Sequence, residues 1–285
     1  MSGEAMTPVP ELKPVRGPGA IGGGRRRFLD LLILTATTNF KKTFFGTALG
    51  YAWSLIRPLL LFGVLLVVFT RIIRIGSSID NYPIFLLFNI VFFGFFQETT
   101  NLATFSVTAQ EGIVRKTQFP RLVIPLSIVL TGLFNLGMNL IAVLIFMLAF
   151  GVYPMWTWLL FPLVLLPLMV MFTSAVATGL SALYVRRRDV GIIWSVVTLA
   201  LFYGSAILIP ITFASGLVQD VMILNPLVPI FVEAHRWMID PSAPSILDVA
   251  NGWWHLLPAA IIFVGVCVWS VWYFNREAPR IAEEL

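Results

Sequence analysis

Residues 122–150 read LVIPLSIVLTGLFNLGMNLIAVLIFMLAF, twenty-nine residues without a charged side chain. A helix crossing the roughly 30 Å hydrocarbon core of a bilayer needs about 20 apolar residues. This run meets that need, and its extra length predicts a tilted or kinked span. Immediately before it stand Arg115, Lys116 and Arg121. Basic residues beside an apolar run are the pattern of membrane orientation.

Working outward, further apolar runs occur over Gly50–Thr70, Tyr82–Thr104, Trp156–Tyr184, Val190–Ile211 and Trp253–Phe274. Six transmembrane helices follow, and the expected fold class is an all-α polytopic membrane protein. Pro162 and Pro167 are candidate kinks in the fourth span. Composition agrees: the 285 residues are 58% hydrophobic and only 12% charged, against about 25% charged in soluble domains. The net charge of +5 can indicate nucleic acid, but these cations cluster beside apolar runs, so no nucleic-acid partner is expected.

Residues 1–24, rich in Pro and Gly, read as a flexible cytoplasmic tail. They lack the apolar stretch of a signal peptide. Residues 25–48 follow as an amphipathic segment: Arg25, Arg26 and Arg27, then Phe28, Leu31, Leu32 and Thr35 at helical spacing. This predicts an interface helix whose arginines meet anionic membrane lipids; the alternative is a plain extension of the first span. Residues 49–285 form the transmembrane domain.

Lysines and arginines set the orientation. Fifteen fall on one side, in the N-terminal segment, the second-to-third and fourth-to-fifth loops and the C-terminal tail; Arg71, Arg74 and Arg236 fall on the other. Both termini are therefore expected in the cytoplasm. Arg57, early in the first span, can snorkel to the headgroups. Glu98, in the polar patch Gln97–Asn101 of the second span, is the most embedded acid. Intramembrane acids are functional candidates; the plainer reading places Glu98 among headgroups or pairs it with a base such as Arg57.

Thr212–Gly252 is long and partly apolar. Two segments too short to span, Val218–Leu224 and Leu227–Met238, flank Asn225 and Pro226, with Pro229 and Arg236 in the second. A broken apolar pair predicts a re-entrant element, the alternative being an amphipathic pair on the outer surface. Several chemistries find no residues to carry them. There is no Gly-Lys-Ser/Thr phosphate loop and no Gly-x-Ser-x-Gly elbow. His235 and His255 lack partners at ligand spacing, so no metal is expected. Cys267 is alone, so no internal disulfide can form. Trp156, Trp158, Trp253 and Trp254 fall at outer boundaries, as belt anchors do.

Three stretches resemble ABC-2 type permeases of the polysaccharide exporter family, which carry O-antigen, capsule, teichoic acid or galactan chains. The first is Phe44–Leu60, with Leu49-Gly50, Trp53 and Pro58-Leu59. The second is Gly112–Pro125, similar to the family's cytoplasmic coupling segment. The third comprises Tyr184, Arg188-Asp189, Asn225-Pro226-Leu227 and Arg236. Together they cover nearly the whole chain in order. One departure is Phe202-Tyr203-Gly204-Ser205-Ala206, where the family often has a proline; the outer end of that helix is expected to differ in shape.

The resemblance implies a permease in the bacterial cytoplasmic (inner) membrane, working as a homodimer with two ATP-binding cassette subunits on a lipid-linked polysaccharide. ATP and Mg would sit on those subunits, and the chain itself would carry no cofactor. Glu111, Arg115, Lys116, Phe119, Pro120 and Arg121 would form the coupling segment, with Phe119 as an apolar knob for the partner. The alternatives are an ABC-2 exporter of a drug or small lipid and a membrane-embedded transferase. The second would need acids or histidines converging at one membrane face, and none converges in the sequence.

Overall fold

The computed structural model describes residues 24–44, 50, 52–112 and 119–278. The predicted N-terminal tail up to residue 23, the end of the interface segment at residues 45–48, Arg115 and Lys116 lie outside them. Among the described residues every regular element is helical.

Helix α1 (Arg25–Phe44) precedes α2 (Ala52–Val67), which ends in a π turn over Val68–Ile72. Then come α3 (Tyr82–Ala109) and α4 (Val123–Ala149). The fourth crossing, Trp156–Arg186, opens with a 3-10 turn at Trp156–Leu159 and continues through a π turn at Phe161–Leu165 into α5 (Leu166–Arg186). Pro162 and Pro167 thus act through a widened turn, because proline removes a rung from the hydrogen-bond ladder. Next are α6 (Val190–Gly204), α7 (Leu217–Ile223), α8 (Val228–Met238), α9 (Ile246–Val249) and α10 (Leu257–Glu277).

Helix α3 is the axle. Tyr82 and every residue from Ile84 to Phe93 are buried, and Phe88, Phe92, Phe93 and Phe96 meet Phe161, Phe172, Phe202 and Phe231 at ring-centroid distances of 5.2–6.3 Å. Its hydroxyls turn back onto their own helix: Thr100 donates to the Phe96 carbonyl at 2.8 Å and Thr104 to the Thr100 carbonyl at 2.7 Å. That satisfies polar groups where no water can. The perimeter is apolar. Leu60, Val64, Ile141, Ile145, Ile192, Val196, Ile261 and Val268 are all exposed, as expected of surfaces facing lipid or a second copy.

Five segments are long and apolar enough to cross a membrane, and α6 is shorter. The sequence predicts a fifth span reaching Ile211, but the helix stops at Gly204. Even so, this stretch traverses the bundle antiparallel to α3. Gly191 lies against Phe105, Trp194 Nε1 donates to Thr100 Oγ1 at 3.0 Å, and Phe202 packs on Phe93. Further on, Asn89 Nδ2 donates to the Ile207 carbonyl at 3.3 Å and Tyr82 Oη to the Leu208 carbonyl at 3.1 Å. From Phe105 to Tyr82 is about 35 Å at 1.5 Å per residue. Pro210 has no N–H to continue the helix and biases Ile209 away from helical geometry. Ala206 takes a positive φ of 55°, and side chains of α3 replace the missing rungs. Irregular backbone at membrane depth persists only when so satisfied.

Helices α7 and α8 meet at 91°. Phe231 packs on Phe92 and Phe93, and His235 on Phe85. Phe231 therefore lies about 16 Å along α3 from Tyr82.

Candidate functional site

Three helical stripes face one hollow. On α3 they are Gly94, Gln97, Glu98, Asn101 and Phe105; on α4, Ile128, Thr131, Gly132, Asn135 and Asn139; on α2, Trp53, Ser54, Arg57 and Leu61. Spacings of three and four residues place each set on one helix face. Asn39, Lys42 and Thr43 of α1 complete a groove of about 1100 Å³. Gly132 lets α3 and α4 approach closely, since a methyl group there would overlap Thr99 Oγ1.

The groove is polar at one level. Arg57 Nη1 stands 3.4 Å from Glu98 Oε1, the pairing the sequence suggested. The Arg57 side chain is 80% exposed and that of Glu98 44%, so the pair opens to the groove. An exposed pair at this distance stabilises little. Asn139 Nδ2 donates to the Asn135 carbonyl at 2.9 Å, while Asn139 Oδ1 is buried and accepts no hydrogen bond among the described residues. Helix α1 lies at the same level. Thr131 Oγ1 donates to the Ala36 carbonyl at 3.1 Å, and Phe40 packs edge-on against Phe134 at 5.8 Å. Phe28 and Leu31 face the bundle, whereas Arg25, Arg26 and Arg27 are exposed. Helix α1 ends at Phe44 and α2 begins at Ala52, and Gly50 between them has φ +46°.

A second cluster lies where α3, α5 and α10 end and α4 begins. Phe119 and Leu122 pack on Val107, Ile124, Ala182 and Phe274. Glu111 is half-buried just past α3, and Pro120 and Arg121 are buried. Phe119, expected as a knob for a partner, is therefore half-buried in its own chain, and only its outer edge is presented. Arg121, at 3% exposure, belongs to the base of this cluster instead of its surface. Sequence reading missed Glu277. Its carboxylate is buried and lies 3.5 Å from Arg186 Nη1, tying α10 to α5. The available signal was an acid in the last turn of a helix, unfavourable against the helix dipole, in a chain with an Arg-Arg-Arg run.

At the opposite end, Asn225 joins the α7–α8 bend to the end of α6. Its Nδ2 donates to Ser205 Oγ at 2.8 Å and to the Gly204 carbonyl at 3.4 Å, and its Oδ1 accepts from Leu227 N at 3.0 Å. Pro226 follows, and Pro229 sits in the first turn of α8, where its missing N–H costs nothing. Glu233 Oε1 accepts from Ile246 N at 2.8 Å. Ser245 and Asp248 form a reciprocal capping box on α9. The Ser245 hydroxyl and amide hold the Asp248 carboxyl below the usual range, assisted by the nearby Arg236 charge. Trp156, Trp253 and Trp254 are exposed, while Trp158 is half-buried. Among the described residues no group of three His, Cys, Asp or Glu side chains is placed to hold a metal.

A helical bundle with an apolar perimeter, a partly polar groove and a broken helix pair opposite is the architecture of a polytopic membrane protein. More narrowly, the chain belongs to the ABC-2 type transporter family, whose family model matches residues 31–236. It is 29% identical over 209 residues to a Myxococcus xanthus protein named O-antigen export system permease protein RfbA, covering 73% of this chain and 79% of that one. A Klebsiella pneumoniae protein of the same name is 29% identical over 203 residues, covering 70% of this chain and 76% of the relative. The family resemblance seen in the sequence is therefore borne out.

Proposed function

We propose that this chain is the transmembrane permease subunit of an ATP-driven exporter of a lipid-linked polysaccharide. It works as a homodimer in the bacterial inner membrane with two ATP-binding cassette subunits, which bind ATP and Mg. The observation that carries the reading is the extent of the similarity, about three-quarters of the chain, to proteins named for O-antigen export. The end of the bundle holding Arg121, Arg186, Arg187 and Arg188 faces the cytoplasm, following the excess of basic residues there. Residues 111–121 receive the motion of the ATPase, because a cluster joining the ends of α3, α4, α5 and α10 moves all four together. The α7–α8 pair dips into the outer leaflet.

The test is deletion of the gene in its host. Loss of surface polysaccharide with lipid-linked glycan accumulating inside, both reversed by the wild-type chain, is the expected result. Unchanged surface polysaccharide in the deletion strain would refute the proposal.

A further inference from the structure

We propose that Arg186 and Glu277 are positioning residues: they fix the axial register of α5 against α10, so that the two helices carry motion from residues 111–121 as one rod. The inference deepens the export reading and rests on it for what the rod drives.

Three contacts run along the face between α5 and α10. Arg186 Nη1 stands 3.5 Å from Glu277 Oε1. Seven residues earlier on each helix, Gly179 faces Ser270, and a β-carbon at Gly179 would lie 3.3 Å from Ser270 Cβ and 2.7 Å from its Oγ. Seven residues earlier again, the Phe172 and Phe263 rings stack at 5.1 Å. In every pair the partners are 91 positions apart. A constant offset means that the helices run parallel, and a repeat of seven keeps one stripe of each against the other. The seam is about 21 Å long at 1.5 Å per residue. Its far end meets α3, where Phe172 stacks on Phe96 at 5.9 Å. At its near end Ala182 of α5 and Phe274 of α10 are buried in one cluster with Ile124, and Phe119 and Leu122 pack against them. A push at Phe119 therefore bears on both helices at once.

Stability does not account for the pair. The Glu277 side chain is 3% exposed, and its Oε2 is buried with no hydrogen bond among the described residues. Withdrawing a carboxylate from water is costly, and a contact at 3.5 Å, longer than the usual value of about 2.7–2.9 Å, repays little of it. The Arg276 guanidinium, whose Nε is 4.0 Å away, lies over the Trp272 ring. Setting register is the best-attested role of a buried polar group. Sliding α10 by one turn toward its own N-terminus would bring Glu277 level with Ala182 and Leu183, which offer no cation. It would also bring Tyr273 or Phe274 against Gly179, where the space is already tight beside Ser270. Packed elements do ratchet past each other by one turn, and this seam forbids it.

The experiment uses the full chain with its ATPase in proteoliposomes. Gly179→Cys with Ser270→Cys, in a Cys267→Ala chain that leaves no third thiol, sets the two β-carbons near the separation of about 3.5–4.5 Å that a disulfide needs. Cross-linking is expected in equal yield with and without ATP, and the oxidised and reduced complexes export at the same rate. Glu277→Gln without the cysteines hydrolyses ATP but exports several-fold less glycan per ATP, and adding the disulfide restores that ratio. Arg186→Gln, at a half-exposed position, takes its place if Glu277→Gln does not assemble. A pair that serves stability alone lowers the melting temperature and leaves glycan per ATP unchanged. That result, a yield that changes with ATP, a disulfide that stops export until it is reduced, or no restoration by the disulfide overturns the proposal. If wild type exports while the yield changes with ATP, the rod falls and the export reading stands. If the yield is constant but wild-type complexes move no glycan, the export reading falls and the fixed register stands.

Discussion

Replacing Asn225 with alanine removes the tie between the α7–α8 bend and the unwound end of α6. Two good hydrogen bonds are lost, at 2.8 Å to Ser205 Oγ and 3.0 Å from Leu227 N, with a longer contact at 3.4 Å to the Gly204 carbonyl. Ser205 is fully buried, so water cannot replace the missing donor. A buried polar group left without its partner costs about 1–3 kcal/mol. Two such groups, partly relaxed, give roughly 2–4 kcal/mol, or about 5–10 °C in melting temperature for a chain of this size. The assay is thermal unfolding of the purified protein at a fixed scan rate. Asn225→Asp keeps the acceptor for Leu227 N but loses both donations, so it falls between wild type and alanine. In a double-mutant cycle with Ser205→Ala the pair couples by about 1 kcal/mol. A wild-type melting temperature for Asn225→Ala, or additivity in the cycle, would refute the claim that this amide holds the bend.

Gly132→Ala drives a methyl group into Thr99 Oγ1 and destabilises by about 1–3 kcal/mol; Thr99→Ala in the same chain restores the melting temperature, whereas Thr99→Val does not. Glu277→Gln weakens the tie to Arg186 and costs about 1–3 kcal/mol, read as earlier melting with an unchanged helical circular dichroism spectrum. Asp248 carries a pH dependence. Its folded carboxyl titrates below the usual value because Ser245 donates to it, so the cap is at full strength above about pH 4 and is lost as pH falls through the lower folded value. Hydrogen exchange of the amides from Ile246 to Ala250 therefore accelerates beyond the intrinsic trend as pH falls below about 4, and Asp248→Asn abolishes that extra dependence.

Much of the architecture is legible because lipid imposes a simple rule: uncharged runs of sufficient length are helices. The run at 122–150 contains α4, and the basic residues around it mark one end of the bundle. The break at Asn225-Pro226 is legible for a similar reason, since two apolar helices too short to span flank a strong breaker. The end of α6 is not. Ile207, Leu208 and Ile209 continue the apolar pattern, and what unwinds them is a set of donors from Tyr82 and Asn89, more than a hundred positions away. Pro210 alone signals a stop near Ile209; the retreat to Gly204 depends on long-range satisfaction of backbone carbonyls, which leaves no local signal. Arg57 and Glu98 could be paired in advance because both are costly in lipid. The groove itself needed Asn39, Asn135 and Asn139 to converge from two helices, which periodicity cannot show. Phe119 was legible as an apolar residue in a polar loop, but its direction depends on the end of α10.

The measurement closest to the central claim is transport in proteoliposomes holding this chain and its partner ATPase, with labelled lipid-linked glycan in the outer leaflet. The signal is protection of the glycan from an added glycosidase as it enters the lumen through complexes whose ATPase faces outward. The account predicts protection that depends on ATP, vanishes when ATP is replaced by a non-hydrolysable analogue, and is absent with this chain alone. Equal protection without ATP, or ATP hydrolysis by this chain in the partner's absence that a point change within it abolishes, would contradict it.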